Sequence, residues 1–141
     1  IVDWLEKNKL KLNHWFTVGD LIYLKRGGRL SAMGAVLGTI LDIKPVLHVD
    51  DQGRLVPVTK VKGRKKSLSA MASRLDAMIV KPEQQVIAIS HGDCIEDVEY
   101  LKGLLLKSHK FKDIIVNNVG TVVGSHSGPG TVALFFLGEH R

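Results

Sequence analysis

Apolar positions along this chain recur in two ways, at three- and four-residue steps and in short continuous runs, and the two kinds alternate. The first steps fall in residues 2–12, which predict a short amphipathic helix with Trp4 and Leu5 inward and lysines outward. Residues 18–24 predict a second helix with Asp20 near its start, stopped by Gly27-Gly28. A third, rich in small residues, is expected to begin at Ser31, with Met33, Val36, Leu37, Ile40 and Leu41 at helical steps. Pro45–Val49 and Arg54–Val58, joined by Asp50-Asp51-Gln52-Gly53, read as a hairpin, with Pro57 near a free edge. Ser67 is a candidate cap for a helix presenting Leu68, Met71, Ala72, Leu75, Met78 and Ile79 on one face. Val86–Ile89 is apolar throughout, the pattern of a central strand covered on both faces. Asp93 and Glu96 have capping-box spacing ahead of a helix with Ile95, Val98, Leu101 and Leu105 inward. Ile114–Val116 and Val132–Leu137 supply two more strands. The alternation predicts an α/β (α+β) class: a two-layer mixed β-sheet of about six strands with helices packed on it.

Composition supports one folded unit. The chain has 141 residues, 45% hydrophobic and 24% charged, enough to bury a core and too apolar for disorder. No apolar run reaches the roughly 18 residues of a membrane-spanning helix, so no stable membrane insertion is expected. Cys94 is the only cysteine, which excludes an internal disulfide and agrees with a reducing, cytoplasmic setting. The chain starts Ile1-Val2-Asp3-Trp4, without methionine or signal pattern, and is expected to be an excerpt entering in mid-protein. The net charge of +6 suits an anionic partner: nucleic acid, membrane surface, acidic protein or small molecule. Aromatics are 6% and do not interleave with the basic residues, which argues against a stacking platform for single strands.

Four constellations carry candidate chemistry. Gly124-Ser125-His126-Ser127-Gly128-Pro129-Gly130 surrounds one imidazole with hydroxyls and glycines ahead of an apolar run. It reads as a loop that presents His126 and Ser125 to an anionic or carboxyl head, or as a glycine turn with a surface histidine. A serine nucleophile is disfavoured, because the centre of Gly124–Gly128 is histidine where a nucleophile elbow has serine. Lys25-Arg26-Gly27-Gly28-Arg29 reads as an anion grip with Arg29 bidentate, or as a solvated helix end. The run 60–66 holds five cations, among them Lys62, Arg64 and Lys65. Cations at a helix start oppose the helix dipole, so the run is a solvated face or a docking surface for phosphate, nucleic acid or an acidic partner. Ser90-His91-Gly92-Asp93-Cys94 brings metal-ligating types together, but no second cluster has ligand spacing, so no metal is expected. His14, His48, His109 and His140 are isolated and read as structural or surface residues.

In order, the stretches Asp20–Ser31, Gly38–Leu47, Gly63–Ser67 and Gly124–Gly138 resemble the C-terminal domain of the DegV family. The resemblance implies a bacterial fatty-acid-binding protein of two α/β domains, with residues 1–141 as the C-terminal one and the N-terminal domain absent from this chain. Some members carry acyl chains for a fatty acid kinase, which phosphorylates the carboxyl. The carrier has no catalysis of its own and needs no cofactor beyond its bound fatty acid. On this resemblance His126 lies beside the carboxyl with Arg29 near the cleft and Ser125 adjoining. Arg64, Lys62 and Lys65 face the kinase or the phosphorylated head, and Met33, Leu37 and Ile40 line an acyl tunnel. The partners implied are a long-chain fatty acid, the kinase catalytic subunit and the N-terminal domain of the same protein. Nucleic-acid or acidic-partner binding through residues 60–66 is the alternative.

Overall fold

The structure, a computed structural model, describes residues 1–29 and 42–141. The helix expected from Ser31, with Met33, Leu37 and Ile40, lies outside the described residues.

Six strands form one mixed sheet. They are β1 (Leu12–Thr17), β2 (Ile43–Val49), β3 (Leu55–Lys62), β4 (Val86–His91), β5 (Asp113–Asn118) and β6 (Val132–Leu137), in the spatial order β3-β2-β1-β6-β4-β5. Only β4 and β5 pair in parallel; every other neighbouring pair is antiparallel. The described helices are α1 (Val2–Asn8), α2 (Leu21–Arg26), α3 (Arg64–Met78), α4 (Ile95–Ser108) and α5 (Thr121–Ser127).

Strand alternation divides the sheet into two faces. On one, Trp15, Ile87, Ile89, Val132, Leu134 and Phe136 pack with Leu68, Met71 and Leu75 of α3 and Val98, Leu101 and Leu105 of α4. On the other, Phe16, Leu47 and Ala133 pack with Leu24 of α2. Among the described residues that face carries two short helices, α2 and α5, which touch each other. These helices add a partial third layer to the expected two, and the groove described below lies beneath them.

Several local expectations change. Trp4 and Leu5 are more than half exposed, and α1 ends at Asn8, because the following residues turn and enter β1. That strand was not expected. Its buried Asn13 donates to the His140 carbonyl at 2.9 Å and accepts from Trp15 Nε1 at 3.2 Å, so a polar residue sits in the core without an unmet bond. β3 runs to Lys62, so the basic run is half edge strand. The next helix starts at Arg64 after Gly63. Ser67 lies inside it, bonded to the Arg64 carbonyl, and does not cap it. The capping box also fails. Asp93 takes φ +51°, and Cys94, with no side-chain cap bond, precedes α4. Ile95 points outward, half exposed. β4 is central, but Val86 is exposed and only alternate residues are fully buried, since its second face borders the groove. Pro57 does lie on an edge strand, and Asp20 caps α2 by accepting from the Ile22 N–H at 2.8 Å.

Candidate functional site

The groove lies between this sheet face and the pair α2–α5. It has a volume of about 670 Å³. Phe16, Ala133 and Phe135 form its apolar floor, Leu24 and Val123 its sides, and His126, Arg29 and His14 its polar points.

The Gly27-Gly28 pair shapes the first of these. The Gly28 N–H donates to the Lys25 carbonyl and the Arg29 N–H to the Leu24 carbonyl, at 3.1 and 2.8 Å, with Gly28 at φ +69°. This pattern closes a helix and turns the chain sharply. It brings Arg29 to the groove, where Nη1 donates to the Gly27 carbonyl and the rest of the guanidinium fork stays exposed. Gly27 has a second duty. A Cβ there would strike the His126 ring, so α2 meets α5 closely only with glycine at this site.

The histidine segment is not a loop through its length. Gly124, Ser125, His126 and Ser127 complete α5, and the turn comes at Gly128, with φ +76° and its face against the Tyr23 ring. Helical phase sorts the side chains. His126 and Ser127 line the groove, while Ser125 is exposed, its hydroxyl donating to the Val122 carbonyl at 2.8 Å. Ser125 thus stands outside the groove that it was expected to join. Among the described residues no hydrogen bond engages the His126 ring, whose Nδ1 edge packs on Gly27.

The basic run separates. Arg64 turns inward: Nε pairs with Asp97 Oδ2 at 2.8 Å, and Nη2 donates to the Gly130 carbonyl at 2.5 Å. This ties α3, α4 and the 128–130 turn together in place of the outward docking role expected of it. Lys62 and Lys65 are exposed, with Lys65 Nζ 5.5 Å from the Tyr100 ring centroid. In the Ser90–Cys94 turn, Cys94 Sγ donates to the Thr131 carbonyl at 3.3 Å, and burial raises its thiol pKa. A raised pKa suits structure better than nucleophilic attack. Among the described residues no three His, Cys, Asp or Glu side chains converge as a metal site, and no helix is long and apolar enough to cross a membrane.

Sequence reasoning missed His14, Phe16 and Phe135 as groove residues. The available signal was Trp15-Phe16-Thr17-Val18, four strand-favouring residues in a row.

A model of the DegV protein family, described as uncharacterised, matches residues 1–139. The chain belongs to the DegV family. It is 49% identical over 141 residues to a DegV domain-containing protein of Clostridium perfringens, across all of this chain and 48% of that one. A DegV-family crystal structure from Ruminococcus gnavus, described with vaccenic acid, superposes at TM-score 0.86 and 25% identity, covering 95% of this chain and 48% of that one. A structure described as a fatty acid binding DegV family protein from Streptococcus agalactiae matches at TM-score 0.84 and 32% identity, over 99% and 49% of the two chains. This DegV-family chain spans about half the length of the relatives it matches.

Proposed function

We propose that this chain is the C-terminal domain of a cytoplasmic two-domain carrier that holds a long-chain fatty acid and presents its carboxyl to a fatty acid kinase. The observation that carries the reading is the groove itself: an apolar floor with an imidazole, His126, that no described residue hydrogen-bonds, and an exposed guanidinium, Arg29. A carboxylate takes hydrogen bonds from both groups. The tail supplies most of the affinity, at roughly 0.8 kcal/mol per buried CH₂, and the head-group residues orient it. A relative described as fatty acid binding and another described with vaccenic acid share the fold and the family. Exposed Lys62 and Lys65 and the net charge of +6 suit an acidic kinase surface or the phosphorylated head. Phosphoryl transfer belongs to the kinase, so the carrier performs no catalysis.

Lipid extraction and mass spectrometry of the intact two-domain protein test this directly. Acyl chains in stoichiometric amount are expected, and their absence overturns the reading. His126→Ala is expected to slow acyl-phosphate formation with the kinase. An unchanged rate removes His126 from the head-group site.

A further inference from the structure

We propose that the far end of the groove selects acyl chains that carry oxygen, through a hydrogen bond between His14 and a hydroxyl or oxo group on the chain. This rests on the fatty-acid reading above and adds a substrate class to it.

The position comes from strand register. His126, Ser127 and Thr131 adjoin the start of β6, whereas His14 pairs with Phe135, four residues further on. At ~3.3 Å per strand residue, His14 lies roughly 13 Å from the Thr131 end. A carboxyl held at His126 therefore sends its tail, not its head, past His14.

The ring is held by aromatic neighbours. It stacks against Phe135 at 4.4 Å between centroids and against Phe16 at 5.6 Å. No hydrogen bond engages either ring nitrogen among the described residues. The nearby cation is already occupied, because Arg141 donates to the carbonyls of Leu12, Asp50 and Lys9 at 2.8–2.9 Å.

The chemistry then selects the ligand. Burial, the Arg141 charge and His48 lower the His14 pKa to about 4, so the imidazole is neutral at neutral pH. A neutral imidazole offers one donor and one acceptor and no charge for a carboxylate. A hydroxyl matches both capacities and an oxo group matches the donor. A saturated tail laid over the ring strips it of water and returns nothing. Recognition of one such group is worth about tenfold in affinity.

The test uses the intact two-domain protein, stripped of lipid. Stearic acid competes against hydroxystearic acids whose hydroxyl is moved stepwise along the chain. The expected result is a maximum at one mid-chain position, about tenfold tighter than stearic acid. His14→Phe keeps an aromatic floor and is expected to abolish the maximum, read as the ratio of each hydroxystearic acid's affinity to that of stearic acid in the same variant. His14→Gln retains an amide donor and acceptor and is expected to keep part of the preference. Equal affinity at every hydroxyl position overturns the proposal, as does a preference that survives His14→Phe. Failure of every acid to bind overturns the fatty-acid reading itself, and this inference with it.

Discussion

Acid destabilises this protein through His14 in a window that its surroundings define. In an unfolded chain the imidazole titrates near 6.5; in the fold its pKa is about 4. Burial against Phe16 and Phe135 is the largest cause, followed by the Arg141 guanidinium and His48. Between these values the unfolded chain binds a proton that the folded chain refuses, so stability rises with pH across the window. The contribution is complete above pH 6.5 and is lost as pH falls toward 4. Each pH unit is worth about 1.4 kcal/mol, which puts the full loss at about 3 kcal/mol. His48, lowered chiefly by burial and then by Arg141, adds a loss of the same sign. The perturbation is His14→Phe, which preserves ring packing and removes the titration. Urea unfolding of wild type and variant at half-unit steps from pH 7.5 to 4 reads the difference. The variant is expected to gain about 3 kcal/mol on wild type as pH falls through the window. Parallel stability curves refute the reasoning, as does an NMR titration that places the His14 ring near 6.5.

Other outcomes follow from the packing. Gly128→Ala puts a Cβ on the Tyr23 ring at a backbone angle of φ +76°, and is expected to lower stability by about 1–3 kcal/mol in thermal unfolding. Leu101→Ala empties a fully buried position between α3, α4 and the sheet and is expected to cost about 2–5 kcal/mol. Arg64→Ala leaves Asp97 and the Gly130 carbonyl without their partner, and a loss of about 2 kcal/mol in denaturant unfolding is expected. Ser125→Ala is expected to leave fatty-acid occupancy unchanged by mass spectrometry, because that hydroxyl is bonded to Val122 outside the groove.

The legible parts of the fold were those where local chemistry and tertiary packing agree. Asp20 caps, Gly27-Gly28 stops, Pro57 marks an edge, and Val98, Leu101 and Leu105 turn inward as their spacing says. Misreadings came where a partner distant in sequence decides. Asn13 looks like a surface residue until His140 and Trp15 complete its bonds from across the sheet. Ser67 and Asp93 look like caps, yet Gly63 and Cys94 precede the helices, since turn conformations at Gly63 and Asp93 set where each begins. In the site, His126 and Arg29 both line the groove. Ser125 and Arg64 point away from the groove because a seven-residue helix and the Asp97 carboxylate fix their directions, and neither is visible in the local sequence. His14 escaped notice because a lone histidine acquires meaning only from what β6 lays beside it.

The helices over the groove are six and seven residues long, below the length at which a helix holds itself together in water. They persist through contact with each other and the sheet, so their amide hydrogens are expected to exchange with solvent far sooner than those of α3 and α4. Fraying of these two short turns opens the groove without disturbing the core on the opposite face. On the fatty-acid proposal, cargo would enter and leave at a rate set by this small local equilibrium, and a bound chain, by holding both turns down, would slow that exchange.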